Sequence, residues 1–561
     1  MQRTWNLKKY DSIELNKIKE KYEVSEVMAK LLIARDISYK KAGEFLNGTL
    51  KDLTDPFLMK DMDKFVERVK KAIDNKEKIC IYGDYDVDGI TSITVMYKFL
   101  TNLGADVMYY LPDRLIEGYG INSNALLEIK NKGASLIITV DCGITAIDEV
   151  EYAKEIGLDV CITDHHECAE VIPNALAIVN PKQKDDKYPF IFLAGVGVAF
   201  KCIMALAIKY NLEEESYLQY LDIVSIGTIS DIVPLIEENR IISKYGLKMM
   251  ENTKNIGLMA LLKIITFKEM DSMMVSFGMA PRINACGRMG NASIAVKLLL
   301  EEDQKKAEQI ADELDRLNQE RKEVETRIYD EALQMIKDKK LDKKNSIVLY
   351  GKDWHNGVIG IVASRLVSLY FKPVILLTKE GTIVRGSGRC QSGCSVYDAL
   401  TDCKDTIVQF GGHELAAGLS LKEENIEEFI KKFEESITNR KIGEAEQVID
   451  IDAQIVKSDL GIQIIKDIRS MKPYGQSNKI PVFLYKGLRV KAIRTIKDDK
   501  HLKLILQDEK NLIDVVGFSQ GHRRDEIRIG NKIDIVGNIE LNTYTNPKTI
   551  QIILQDFKKS V

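Results

Sequence analysis

The sequence predicts an α/β protein: a parallel sheet with helices on both faces, then a long connecting helix, a smaller α/β unit and a C-terminal Greek-key β-barrel. Three observations predict it. Between residues 79 and 180 short apolar runs alternate with amphipathic stretches, the pattern of parallel strands joined by crossover helices. Residues 301–340 repeat apolar side chains at helical spacing. From residue 446 the runs alternate in period two with turns between them, as a small barrel requires.

Taken in order, the 561 residues are too many for one core and divide into roughly three or four domains. Residues 1–75 read as a helical segment containing "VSEVMAKLLIARDI". Residues 76–300 hold the parallel sheet, with strands in "KICIYG", "ADVMYYLP", "SLIITV", "LDVCIT" and "ALAIVN", followed by a mainly helical stretch. In the connecting helix, 301–344, Ile310, Leu314, Leu317, Val324, Ile328 and Met335 form a packing stripe. A second α/β unit, 345–445, begins with "NSIVLYG" and "PVILLT" and contains Gly-rich turns. The barrel, 446–561, follows in "GLRVKAIRTI", "HLKLILQD", "LIDVVGF", "KIDIVGNIEL" and "TIQIILQDF".

Hydrophobic content of 45% and charged content of 29% are those of a soluble globular chain. No apolar stretch reaches membrane-spanning length, and "MQRTWNLKKYDS" has no signal core, so a cytoplasmic protein without membrane attachment is expected. Nine cysteines without CxxC pairs suit reduced thiols. Cys390 and Cys394 have no second pair or nearby histidine with which to bind a metal. A net charge of −4 does not advertise nucleic-acid binding, yet residues 481–561 carry 15 Lys plus Arg against 10 Asp plus Glu. An acidic site elsewhere can mask a basic groove.

The chemistry gathers at the ends of the apolar runs. "GDYDVDG" places Asp84, Asp86 and Asp88 at alternate positions after a strand. Like charges so close raise one another's pKa and call for protons or cations. A calcium loop of the EF-hand type fits in part, but its twelfth position is Val95 and a strand, not a helix, enters it. Asp141 follows "SLIIT", Asp164, His165 and His166 follow "LDVCI", and Asp231 lies in "GTISDIVPL". The first three clusters sit where parallel strands would end on one edge, the edge at which such sheets bind ligands. Five or more carboxylates with two imidazoles exceed the needs of one metal. Two divalent ions about 4 Å apart would satisfy them, and mixed Asp and His ligands suit manganese, with magnesium possible.

"GDYDVDG", "VDCGI", "DHHE" and "GTISDIVPL" resemble, in order, the four motifs of the DHH phosphoesterase superfamily. "RINACGRMG" (282–290), "RGSGR" (385–389) and "GGHELAAG" (411–418) resemble the DHH-associated domain, and the region before it, of the superfamily's single-strand-specific exonucleases, and the closing barrel is OB-like in the same way. The resemblance therefore covers nearly the whole chain. It implies two Mn2+ or Mg2+ ions held by Asp86, Asp88, Asp141, His165, His166 and Asp231, with Asp84 as ligand or close support and Asp164 fixing a histidine ring. It also implies hydrolysis of single-stranded DNA from the 5' end to 5'-mononucleotides, in repair and recombination. The enzyme would be a monomer, working with a single-strand-binding protein and a helicase.

Gly-rich loops beside an arginine or histidine bind phosphate. Gly411, Gly412 and His413 have that form, as do Arg385, Ser387, Gly388 and Arg389, and Arg114 and Arg288 are further phosphate candidates. Bases could stack on Tyr119, Phe483, Tyr485 or Tyr544, although aromatics at such positions are mostly core. "GVGVAF" (195–200) reads only as a helix-packing pattern. Two alternatives keep the fold. One acts on nano-RNA, cyclic dinucleotides or polyphosphate, but its shorter members lack the terminal barrel. The other is a non-catalytic DNA-binding scaffold, which the filled ligand positions oppose.

Overall fold

A computed structural model describes residues 3–113, 117–118, 120–267, 269–440, 448–542 and 548–560. The chain opens with a short strand, β1 (Thr4–Leu7), and helices Ser12–Tyr22, Glu26–Ile33 and Ala42–Asn47. The Asp11 and Ser25 side chains cap the first two by accepting the Ile13 and Met28 amides, donors that a helix start otherwise leaves open.

Helix Met62–Asp74 leads into β2 (Lys78–Gly83), β3 (Asp106–Tyr110), β4 (Ala134–Val140), β5 (Asp159–Thr163) and β6 (Ala177–Val179). All pairings are parallel, in the order β3-β2-β4-β5-β6. Ile79 and Ile81 enter the core on one face, and Cys80 and Tyr82 the core on the other. Burial on both faces is why these strands read as unbroken apolar runs. Register then sets the site. Gly83 pairs with Val140 and Val140 with Thr163, so three strands end level and Asp84, Asp141 and Asp164 leave the sheet side by side.

The predicted connecting helix runs from Gln304 to Asp338. Ala307, Ala311 and Leu314 belong to the core of the parallel-sheet lobe, and Ile328, Ala332 and Ile336 to the core of the second lobe. One rigid rod is thus shared by two bodies. The second lobe holds β7 (Ile347–Tyr350), β8 (Val374–Glu380), β9 (Ile383–Arg389), β10 (Gln409–His413) and β11 (Ala416–Leu421), ordered β10-β11-β9-β8-β7. Helix Asn356–Tyr370 covers one face, and helices Val396–Asp402 and Ile426–Asn439 cover the other.

Strands β12 (Val448–Ile451) and β13 (Ala453–Ile455) precede the barrel proper: β14 (Phe483–Ile496), β15 (His501–Asp508), β16 (Asn511–Gly517), β17 (Lys532–Asn542) and β18 (Thr549–Lys559). Neighbours run β14-β15-β16-β18-β17, and pairing of β14 with β17 closes the ring, which removes the open edges of a flat sheet.

The structure divides the N-terminal segment in a way its sequence does not suggest. β1 pairs in parallel with β12, and Ile18, Met28 and Leu32 share a core with Leu488, Leu504 and Ile535 of the barrel. Helix Met62–Asp74, with Leu53 and Met59 just before it, instead packs into the core of the parallel sheet. An apolar helix face shows that a partner exists, but not which distant surface supplies it.

A buried arginine joins these bodies. Arg240 of the parallel-sheet lobe donates to the carbonyls of Phe45 (2.9 Å), Met471 (2.8 Å) and Ser470 (3.0 Å) and lies 3.9 Å over the Phe45 ring. Charged hydrogen bonds in a dry interface are among the stronger ones. Arg240→Met is expected to destabilise the union of barrel and parallel-sheet lobe by about 2–4 kcal/mol, read as an earlier first transition in calorimetry. An unchanged melting profile would show that the interface holds without it.

Candidate metal centre

The turn after β2 builds the first part of the site. Asp86 caps helix Val87–Asn102, one carboxylate oxygen accepting from the Asp88 (2.9 Å) and Gly89 (3.2 Å) amides. A Cβ at Gly89 would lie 2.3 Å from the Asp84 carbonyl oxygen, so only glycine lets the helix start this close to the strand end. Asp88, one turn in, is buried and accepts from the Gly195 (2.7 Å) and Val196 (2.8 Å) amides at the N-terminus of helix Gly195–Lys209. That helix end stabilises a carboxylate. A Cβ on Gly195 would come 2.6 Å from Asp141 Oδ1. Gly195 of "GVGVAF" is therefore more than helix packing, since it holds one acidic residue and leaves room for another, whereas Gly197 packs on Leu193 as expected.

Asp141 sits at the β4 exit with φ of 60°, in a region that side chains other than glycine rarely adopt and that is common at functional sites. Its amide donates to the Thr163 carbonyl at 3.0 Å. Asp231 is the C-cap of helix Leu221–Ser230. Asp164 is buried and ties the loop after β5. One oxygen accepts from the His165 and His166 amides (2.7 and 3.1 Å) and lies 2.7 Å from His166 Nδ1, and the other accepts from the Ile144 amide at 2.9 Å. It thus orients the His166 ring, as a carboxylate does behind a ligating histidine.

These contacts bring together seven side chains in three overlapping triads, Asp84-Asp86-Asp141, Asp141-His165-His166 and Asp88-His165-Asp231, each with ligand atoms within 4.8 Å of one another. His165 Nε2 lies 3.2 Å from Asp141 Oδ1, 3.7 Å from Asp231 Oδ2 and 3.9 Å from Asp88 Oδ2. Both His165 Nε2 and Asp141 Oδ1 are buried without a hydrogen-bond partner. His165 Nε2 thus faces three carboxylates. Lone pairs turned toward one another in a dry site fit a divalent cation between them.

The electrostatics agree. Burial, then Asp231 and Asp86, raise the Asp88 carboxyl well above the carboxylate range. Burial, then Asp88 and Asp86, do the same to Asp141, and burial with Asp86 raises Asp231 to about 7. Burial and the neighbouring His166 push His165 down to about 3, so its ring is neutral. Burial alone would raise Asp164, but the His166 ring and the loop amides hold it below its usual value. A bound cation reverses the repulsion among the other carboxylates.

A second group of predicted residues assembles across the lobes. Arg288 Nη1 donates to the Gly357 carbonyl at 3.2 Å, and Arg389 Nη1 donates to Ser387 Oγ at 2.9 Å. A Cβ at Gly360 would meet both Ser387 Oγ and Arg389 Nη2 at 2.9 Å. Arg288, Ser387 and Arg389 thus surround the N-terminal turns of helix Asn356–Tyr370, an anion-favouring position that the sequence reading missed. "HNGVIG" at residues 355–360 was its signal. Gly411, Gly412 and His413 lie on β10, where Gly411 pairs with Gly418, which pairs in turn with Ser387. Both Gly-rich segments, predicted as loops, are strands, and glycine allows close packing at Gly388, whose Cβ would meet Val396 at 2.9 Å, and at Gly412, whose Cβ would meet the Ala416 carbonyl oxygen at 2.4 Å. Arg385 pairs with Glu380 at the far end of β9. His413 is exposed and does not join the carboxylate triads. Arg114, Tyr119 and Tyr544 lie outside the described residues. Phe483 and Tyr485 are barrel core, with no face for a base.

Between the lobes and the barrel lies a cleft of about 880 Å³, lined among others by Ser230, Ile232, Phe277, Arg321, Ile361 and Lys479. Ser230 precedes Asp231, so the cleft opens beside the acidic centre. Ile232 and Phe277 are 70% and 65% exposed. Among the described residues no helix is long and apolar enough to cross a membrane.

Comparison with known proteins gives the same picture. Residues 78–228 match the DHH family N-terminal domain, 343–439 the DHHA1 domain and 451–556 the RecJ OB domain. The chain is similar to the single-stranded-DNA-specific exonuclease RecJ of Bacillus subtilis, 39% identical over 98% of this chain and 70% of the relative, and to that of Haemophilus influenzae, 33% over 94% and 95%. The crystal structure of RecJ from Thermus thermophilus in complex with Mn2+ superposes with a TM-score of 0.87 at 27% identity, over 100% of this chain and 80% of that one.

Crowding at Gly195 isolates the role of the helix end. Gly195→Ala is expected to weaken Mn2+ binding by about tenfold or more, the loss seen when groups behind metal ligands are disturbed, and to lower stability in EDTA by about 1–3 kcal/mol from the crowding itself. Calorimetric titration with MnCl2 measures it, and equal affinity in the two proteins would refute the crowding argument.

Proposed function

The chain belongs to the RecJ family of single-stranded-DNA-specific exonucleases, and from that premise we propose that it degrades single-stranded DNA from the 5' end to 5'-mononucleotides at a pair of divalent cations, Mn2+ or Mg2+. One observation carries the reading. Buried, unpartnered lone pairs of Asp141 and His165 stand at the overlap of three acidic and imidazole triads, an arrangement that costs free energy unless a cation fills it.

In this reading Asp84, Asp86, Asp88, Asp141, His165, His166 and Asp231 would together hold the two cations. When bound, such a pair supplies Lewis acidity to the phosphodiester and lowers the pKa of the attacking water. The protein's own part is positional. Asp164 holds the His166 ring at Nδ1, the Gly195 and Val196 amides hold Asp88, and the Asp86 cap fixes the turn that carries all three first-cluster aspartates. No side-chain nucleophile is required.

Substrate grip falls to the second lobe and the cleft. Arg288, Ser387 and Arg389, with the N-terminus of helix Asn356–Tyr370, take the phosphate of the strand terminus, and Gly411, Gly412 and His413 lie along the adjoining strands. Arg114 remains a candidate for phosphate contact by sequence. Phe277 offers an exposed ring to an unpaired base. A cleft bounded by two lobes, a rigid helix and a barrel admits one strand and refuses a duplex. A cytoplasmic monomer acting in DNA repair and recombination beside a single-strand-binding protein and a helicase belongs to the same reading.

End-labelled oligonucleotides test it. With MnCl2, 5'-phosphorylated single strands should yield mononucleotides, blunt duplexes should resist, and Asp141→Ala should abolish turnover while leaving the fold intact. Loss of one buried charge-assisted phosphate contact in Arg389→Ala should raise KM by about tenfold or more, with a smaller change in kcat. Intact long strands beside rapidly cut dinucleotides would overturn the proposal.

A further inference from the structure

The segment after β9 carries two cysteines that hydrolysis leaves unused, Cys390 and Cys394. Gly393, at φ of 87°, and a hydrogen bond from the Cys394 amide to the Gln391 carbonyl at 3.2 Å fold this turn so that Cys390 Sγ reaches the Cys394 backbone and the two thiols shift one another's acidity. Both side chains are buried near the surface, 8% and 5% exposed. Cys390 Sγ also lies 3.1 Å from the Cys394 carbonyl oxygen and 3.2 Å from that of Glu414. The Cys390 amide donates to the Leu415 carbonyl and the Val396 amide to the Glu414 carbonyl, at 3.0 and 2.7 Å. The dithiol turn is therefore stitched to the bend that follows His413, between β10 and β11.

We propose that Cys390 and Cys394 form a reversible oxidation site, at which a peroxide converts the thiol pair to a disulfide and thereby loosens the bend carrying the Gly411–His413 strand. The effect on the strand rests on the assignment of β10 to DNA binding made above; the oxidation does not. The chemistry balances. Cys390, as thiolate, attacks a peroxide oxygen; the O–O bond breaks, leaving a sulfenic acid and a hydroxide that takes up the thiol proton. Cys394 sulfur then attacks the sulfenic sulfur, the S–O bond breaks, and a second water departs with the Cys394 proton. Two thiols are oxidised by two electrons in all, and one peroxide is reduced to two waters. A thiol reductant reverses it.

The two sulfurs are differentiated for these roles. Cys394 lowers the Cys390 thiol, and Cys394 itself is raised, so Cys390 is the one that gives up its proton to attack and Cys394 keeps its own until the second step. Burial instead raises Cys142, Cys161, Cys202 and Cys286, and these serve as internal controls. In the disulfide neither sulfur keeps a proton. The Glu414 carbonyl then loses the thiol and retains only the Val396 amide.

Full-length protein treated with hydrogen peroxide, alkylated and cut with trypsin tests the site, because residues 390–404 form one peptide that also contains Cys403. The expected product lacks two hydrogens between Cys390 and Cys394, carries an alkylated Cys403, and reverts with dithiothreitol. Oxidation at Cys390 no faster than at Cys142 or Cys202, or a disulfide to Cys403, would overturn the proposal. In parallel, oxidation should raise KM for single-stranded DNA by about three- to tenfold, the worth of one lost hydrogen bond, and Cys394→Ser or Cys390→Ser should remove that sensitivity. If the disulfide forms and KM is unchanged, the coupling to β10 is wrong and the oxidation site stands. If neither redox state cuts DNA, the failure lies with the exonuclease reading.

Discussion

Carboxylates withdrawn from water repel one another, and much of the catalytic lobe is arranged to hold several of them together regardless. Asp88, Asp141 and Asp231 all titrate above the ordinary carboxylate range, because of burial first and the neighbouring carboxylates, Asp86 among them, second. Such a cluster is unstable as an isolated feature. It persists because its members are anchored elsewhere: Asp141 by a strand end in a left-handed backbone conformation, Asp88 by two amides of a helix N-terminus, Asp86 by its own helix start. The fold carries the strain, and cation binding relieves it.

Environment, more than residue type, separates the roles of the aspartates. Asp164 is as buried as Asp141, yet three amides and an imidazole surround it and favour the charged form. It is satisfied by protein and therefore orients a neighbour. Asp141 has an oxygen with no protein donor and is therefore open to a cation. The same contrast separates the two histidines: His166 gives Nδ1 to Asp164, and His165 turns a bare Nε2 into the cluster. The adjacent pair in "DHHE" thus shares one loop but has two different supports.

What could be read in the sequence follows from how local the cause is. Strand exits were legible because Gly83, Val140 and Thr163 each end an apolar run, and the acidic residues come next in the chain. Gly195 was not, because its value lies in two residues over fifty positions away, Asp88 and Asp141, and a lone glycine in a helix start looks like packing. Pairing of β1 with β12 joins residues more than 440 positions apart, and no periodicity encodes that partnership. The Ser387 and Arg389 segment was identified by composition but read as a loop, since glycine suggests turns when the neighbour that demands its smallness, helix Asn356–Tyr370, is out of view.

The long helix sets how the acidic centre of one lobe stands against the arginine cluster of the other, and its packing fixes that separation. The 35-residue helix Gln304–Asp338 spans about 52 Å and is embedded in both cores, which makes it a strut and not a hinge. Polar links brace it on the second lobe: Glu325 accepts from Arg321 at 2.9 Å and from Arg365 of helix Asn356–Tyr370 at 2.8 Å, and Arg365 stacks on Tyr329. Arg288 closes the other side by bonding across to Gly357. Arg288 and Arg389 are therefore set against Asp141 and His165 by elements that cannot slide independently.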